Sequence, residues 1–324
     1  MKLTHIILVF LVITIIVGCK KESATGPRFE PFIGGKEGLR MSWVEGLPPE
    51  TVLDKGRQPF GIGAKLTNVG EEYVGQGAGY VEIIGINPKD FNKNGQADMR
   101  KFLPIPLREA KRSIDGTIIE GGQTVVEFTD LKYLPSLQGD TPINMRANLC
   151  YDYRTKTSTK ICAKRELIEV GKTKICEISG KKDPKNSGGP VQITSVKESP
   201  LGEGKIQVIF EIEHVSDKNN LIFKRGTECD DRIDNQNRNV VYIRVTSDVY
   251  GKKADCSGGG FEDPDTDGQG GYINLYGGQK RALTCTYDIS DIGSAVFEPL
   301  FTVDLFYRYY QYAEKPITIK AVGR

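Results

Sequence analysis

Histidine is nearly missing from this chain. Its 324 residues include two, His5 and His214, with one tryptophan and four methionines. His5 stands in an apolar leader, so any serine or cysteine nucleophile would have to share His214 as its base. No G-x-S-x-G, H-E-x-x-H, Walker or dinucleotide-binding pattern occurs. The seven cysteines contain no C-x₂-C pair, which removes the usual zinc-cluster spacing. Neither charge sign dominates: 44 Lys and Arg face 42 Asp and Glu, a net +2, so nucleic acid is not an expected partner. These absences lead to the expectation of a non-catalytic protein. Paired carboxylates for glycoside hydrolysis stay open, because their separation in space is not written in the sequence.

A long apolar run occurs at the start. Ile6 to Gly18 reads IILVFLVITIIVG without a charge, after Lys2. That is shorter than the roughly 20 residues a membrane-spanning helix needs and suits the core of a signal peptide. It ends Ile16-Val17-Gly18-Cys19, followed by Lys20 and Lys21. An aliphatic residue, a small one and a cysteine resemble the lipobox of bacterial and some archaeal lipoproteins. Residues 1–19 are therefore expected to be a signal peptide with Cys19 as the lipidated residue, and 20–27 a tether. An ordinary signal peptide and an uncleaved anchor are the alternatives. Each places the rest of the chain outside the cytoplasm, facing the exterior or periplasm; the lipidated and uncleaved forms also anchor it to a membrane.

What is abundant points to strands. The 37 glycines and plentiful Val, Ile, Thr and Tyr favour short strands and turns. A shift of 156 residues lays Gly121-Gly122-Gln123 on Gly277-Gly278-Gln279, Leu149 on Leu305, Tyr151 on Tyr307, Tyr153 on Tyr309, Ile161 on Ile317 and Lys164 on Lys320. Self-similarity at this length means a duplicated domain and not a solenoid. Phe60 to Gly70 corresponds to Ile206 to Ser216, and Gly79 to Ile84 to Val240 to Val245; between those strands the second copy is about fifteen residues longer and carries Cys229. Strict alternation over Phe301, Val303, Leu305, Tyr307 and Tyr309 marks a half-buried strand, as does Ala147, Leu149, Tyr151, Tyr153. Each is expected to turn back into a second strand, Lys160 to Glu166 and Pro316 to Val322, closing its domain with a hairpin. The reading is all-β: two tandem immunoglobulin-like sandwiches, 28–168 and 190–324, joined by a Lys- and Gly-rich linker at 169–189.

The segment KLTNVGEEYV, Lys65 to Val74, is an alternating strand that ends in Asn-Val-Gly at a turn. It resembles the strand signature of CARDB-like and related immunoglobulin-like domains, which occur in tandem in bacterial and archaeal surface proteins. The duplicated, cysteine-braced layout also resembles secreted proteins of small-genome archaea. The resemblance implies fold and location and brings no catalytic residues.

Setting Cys19 aside leaves Cys150, Cys162, Cys176, Cys229, Cys256 and Cys285, an even set read as three disulfides. Cys150 and Cys162 are absent together from the second copy, so the closing hairpin predicts a Cys150–Cys162 bond. Cys256–Cys285 is expected between neighbouring strands, and Cys176–Cys229 is left over. Asp263-Pro-Asp265-Thr-Asp267-Gly268 could converge on calcium, or be a solvated turn; the twelfth position of an EF-hand loop is Asn274 here, not Glu. Asp90 to Gly95, with Asp98, is a diluted form of the same pattern. Asp230, Asp231 and Asp234 read as an exposed connector, His214 as a sheet residue, and Trp43 as a core anchor. The aromatic run Phe306, Tyr307, Tyr309, Tyr310 and Tyr312 is expected to divide between core and edge, with a sugar- or partner-binding platform as the alternative. The leading function is adhesion, scaffolding or contact with another envelope or cell-surface protein. A surface lipoprotein binding a small ligand or carbohydrate, and an accessory subunit of a membrane complex, are the alternatives.

Overall fold

The computed structural model describes residues 30–164, 175–202, 204–249, 251–258, 260–261, 269–293 and 295–323. Cys19 with the rest of the leader, and Asp263, Asp265 and Asp267, lie outside them. The first repeat contributes β1 (Leu39–Trp43), β2 (Thr51–Leu53), β3 (Phe60–Asn68), β4 (Gly79–Ile84), β5 (Arg100–Phe102), β6 (Gln123–Leu131) and the long β7 (Thr141–Lys160). Between the repeats stand β8 (Gly180–Lys182) and β9 (Lys185–Asn186). The second repeat contributes β10 (Val191–Pro200), β11 (Lys205–His214), β12 (Leu221–Phe223), β13 (Val240–Val245), β14 (Asp255–Ser257), β15 (Gly270–Asn274), β16 (Arg281–Asp288) and the long β17 (Leu300–Lys320).

The duplication is visible strand for strand. In the first repeat β1-β3-β6 form one sheet, and β5-β4-β7 run side by side in another. In the second repeat β10-β11-β16 and β15-β13-β17 repeat both arrangements in the same chain order, with β8 and β14 added at the outer edges of the first. The shared Gly-Gly-Gln motif serves two purposes. A Cβ on Gly121 would lie 2.4 Å from the Asn68 carbonyl oxygen, so the first copy needs glycine for close backbone approach. Gly277 and Gly278 have open space but φ of 63° and 72°, so the second copy needs it for a left-handed turn.

The two repeats fuse through one sheet. β7 and β17 pair antiparallel along their whole lengths, Leu300 opposite Lys160 through Ile319 opposite Thr141, and join both halves in a nine-stranded layer. Asp152 and Arg308 are equivalent positions under the 156-residue shift, and they face each other in this register. The local two-fold of the duplication therefore passes through that pair. Arg308 Nε and Nη2 each lie 2.9 Å from the Asp152 carboxylate, a bidentate contact. Two identical chains would set a residue against its own copy here, like charge on like. Divergence after duplication lets the site hold opposite charges.

Odd-numbered residues of β7 and β17 point to the same face, where both smaller sheets cover them. Beside the two-fold, Tyr151, Tyr153, Tyr307 and Tyr309 meet in one buried cluster with ring centroids 5.8 to 6.4 Å apart. A buried phenol needs a partner, and each has one. Leu39 N–H donates to Tyr151; Tyr153 donates to the Gly188 carbonyl; Tyr307 shares a 2.7 Å bond with Thr155; Tyr309 meets His214 Nε2 at 3.1 Å. Burial holds all four hydroxyls above the usual phenol range. Trp43 is half-buried against the core, its Nε1 donating to the Glu314 carbonyl.

Three sequence expectations change. The closing hairpins do not form: β7 and β17 run straight through the segments expected to turn, because Arg154 to Thr159 pair with Phe306 to Phe301 of the other repeat. Cys150 and Cys162 consequently sit on one extended stretch, some 40 Å apart along the chain at strand rise, and cannot bond. The disulfides are Cys150–Cys229, Cys162–Cys176 and Cys256–Cys285. The three-bond count and the third pairing agree with expectation; Cys150–Cys162 and Cys176–Cys229 do not. Finally, the described end of the expected linker belongs to the fold. β8 pairs with β10 and β9 with β7, while Cys176 is tied to Cys162. Lys182 reaches the fully buried Glu198 at 2.8 Å, and Cys162 N–H donates to the same carboxylate. Desolvation still pushes Glu198 up to about 7.

Candidate ligand-binding groove

The longer β11–β13 connection of the second repeat builds a surface concavity. In the first repeat, residues 69–78 join the equivalent strands β3 and β4. That turn is held by Asn68, whose side chain donates to the Glu72 and Leu107 carbonyls and accepts from Gly70 N–H. In the second repeat, residues 215–239 make the connection and carry β12, which pairs with β17.

This connection crosses the outer face of the nine-stranded sheet onto the first repeat. Cys150 is even-numbered on β7, so it points outward, and it bonds Cys229 there. Tyr80 of β4 donates to Glu228 at 3.0 Å, and Arg100 of β5 pairs with the same carboxylate. Burial and the neighbouring Glu228 push Tyr80 up to about 12. Arg308 donates to the Thr227 carbonyl, and Gly226 N–H to Asp152. The staple thus ends at the two-fold itself.

Beyond the staple the same connection walls a groove of about 1060 Å³. Its floor is the end of β11, Glu213 and His214. One wall is the turn at Lys218 to Leu221, the second is Ile233 to Asn239, and the third is Asn274 to Lys280 with the second Gly-Gly-Gln turn. The lining is rich in amides: Asn220, Asn235, Gln236, Asn239, Asn274 and Gln279. Two apolar groups stand at the rim, Tyr276 at 69% and Ile233 at 92% exposure. The Asn235 amide donates to the Asp230 carbonyl, and its oxygen accepts from Asn237 N–H, so the wall is preshaped. Asn239 sits at φ 61°, a conformation asparagine tolerates, and its N–H donates to the Ile222 carbonyl.

The groove combines amide hydrogen-bonding groups with the cations Lys218, Arg238 and Lys280. His214 is buried and bonded to Tyr309, and desolvation lowers it to about 4, so it is neutral at ordinary pH. Glu213 is the carboxylate in the lining, and it pairs with Lys280 at 3.3 Å. Amides offer donors and acceptors side by side, and an exposed tyrosine offers a flat apolar face.

The sequence-derived candidates lie elsewhere. Among the described residues no three His, Cys, Asp or Glu side chains gather as a metal site. Asp98 accepts from Asn94 N–H in a turn after the short 3₁₀ segment Pro88–Phe91. Asp230 is bonded to Arg232, and Asp231 lies 3.9 Å from Arg146. In the aromatic run, Tyr307 and Tyr309 are core, Tyr310 is buried beneath the crossing connection, and Phe306 and Tyr312 reach the surface. The groove residues carried one signal in the sequence, the extra length between two otherwise matching strands.

No protein-family model matches the chain, and no curated protein matches it. Among solved structures, the chain aligns with a serine-rich repeat adhesion glycoprotein (Srr1) from Streptococcus agalactiae at 9% identity, over 91% of this chain and 100% of that one, with a TM-score of 0.17. A likeness that slight carries no structural or functional argument.

Proposed function

We propose that this chain is an exported, membrane-anchored, non-catalytic surface protein that acts in adhesion by holding a neutral, hydroxyl-rich ligand, such as a surface glycan, in the groove of its second repeat. The observation that carries the reading is the lining itself: six side-chain amides around an open trough with a tyrosine at its rim. Such a surface matches alternating donors and acceptors on a sugar and offers little to an apolar molecule. Three disulfides fit the oxidising exterior that this role needs. The leader with Cys19 supplies the proposed attachment, and the fused repeats the binding body.

The test is a glycan array probed with the purified protein. Tyr276→Ala combined with Gln236→Ala should lower binding to the recognised glycan at least ten-fold, while the melting temperature stays within a degree or two, since both side chains are exposed. Equal binding by wild type and double variant would remove the groove from the account.

A further inference from the structure

On the outer face of the nine-stranded sheet, near the two-fold, three guanidinium groups converge on one ring. Arg154, Arg225 and Arg244 place their Cζ atoms 5.6, 5.5 and 5.8 Å from the centre of Phe306. They come from three elements: β7, the crossing connection and β13. Beside Arg154 and Arg225 opens a hollow of about 160 Å³, lined by these two, Phe306 and Tyr73 together with the carboxylates Glu72 and Asp152; Arg244 stands outside it.

Like charges gathered this way repel, and the ring does not offset that. Cation–π attraction reaches only to about 6 Å, so all three contacts are near its outer limit. The nearby carboxylates are largely engaged. Glu72 bonds Arg154 through both Nε and Nη2, and Asp152 holds Arg308. Asp304 stands opposite Arg244 in the strand register without forming an ion pair. Among the described residues, neither Arg225 nor Arg244 has a carboxylate partner, and both are exposed. The Arg308–Asp152 contact and the Cys150–Cys229 bond fix the ground from which Arg225 projects.

We propose that this arginine cluster around Phe306 binds an oxyanion, a carboxylate, sulfate or phosphate group, held by Arg225 and Arg244 with Arg154 behind them. Guanidinium forks match the paired oxygens of such groups, and Arg225 and Arg244 are both exposed. The group arrives on an acidic saccharide or as a free inorganic anion. This site is separate from the amide-lined groove and does not rest on its occupancy.

The experiment is calorimetric titration of the full-length protein at constant ionic strength, with glucuronate, glucose 6-sulfate, inorganic sulfate, inorganic phosphate and neutral glucose. Saturable one-to-one binding of at least one of the four anions, absent with glucose, is the expected result. Arg225→Gln with Arg244→Gln should weaken it at least ten-fold with an unchanged melting temperature, and Arg244→Lys should weaken it several-fold although the charge is kept. Tighter binding of the acidic sugars assigns the saccharide as source; equal binding of the inorganic ions assigns the free anion. Absence of saturable binding by any anion, equal binding of glucose, or an unaltered constant in the double variant would overturn the site.

Discussion

The two repeats share a strand plan and differ in what joins their second and third equivalent strands. The first repeat uses a ten-residue turn pinned by Asn68. The second uses 25 residues, 215–239, that reach over the two-fold, bond the first repeat through Cys229 and then wall the groove. A duplicated fold has two copies of every strand but needs only one of each core contact. The lesson is that the second copy's connection was free to lengthen, and it serves fusion and binding at once.

The comparison breaks most severely at the staple. Replacing Cys150 and Cys229 by serine opens a loop of 79 residues, for which chain entropy gives a loss of about 4.5 kcal/mol. The pair Cys162–Cys176, spanning 14 residues, should cost about 3 kcal/mol on the same basis. Urea unfolding of the two double variants checks the order. Losing the staple should also weaken glycan binding, because it frees a groove wall, whereas losing Cys162–Cys176 should not.

A smaller effect is expected at the two-fold. Asp152→Arg sets two guanidiniums face to face and should destabilise by about 2 kcal/mol, a moderate figure because the pair is only partly buried. Adding Arg308→Asp should recover most of that loss, a coupling that a double-mutant cycle measures directly. Full additivity of the two changes would argue against the facing register.

The smallest expected effect is on pH, and two groups of the second repeat oppose each other. Glu198 is raised from 4.5 to about 7, so between those values the folded state holds a proton that the unfolded chain releases. Its contribution falls as pH rises through that window. His214 is lowered from 6.5 to about 4, so the unfolded chain takes the proton first, and stability falls as pH drops through that window. Near pH 5 the two partly cancel. Urea midpoints from pH 7 to pH 5 should decline more steeply in Glu198→Gln than in the wild type, and should rise in His214→Gln.

Much of the fold was legible in the sequence, because burial on one face imposes alternation and duplication leaves identities at one offset. The all-β class, the equivalent strands and the oxidised state of six cysteines follow from those signals. The fusion was not legible. Arg154 to Thr159 is polar, and a polar stretch after a strand reads as a connector; the identity of its pairing partner, 140 or more residues away, is not a local property. Mistaking that stretch for a turn carried the Cys150–Cys162 assignment with it. The outward direction of Cys150 was nevertheless present in its parity, opposite to Leu149 and Tyr151. The groove had its extra chain length as a clue but no motif, since amides and glycines are ordinary turn residues. The arginine cluster had none, because its members come from three separate elements.

The central claim is that the repeats form one interlocked body, and peptide mapping of the unreduced protein tests it most directly. Proteolysis without reduction, followed by mass spectrometry, should recover the Cys150 peptide bonded to the Cys229 peptide and Cys162 bonded to Cys176. Recovery of Cys150 bonded to Cys162 would contradict the continuous β7–β17 pairing and return the molecule to two separately closed domains.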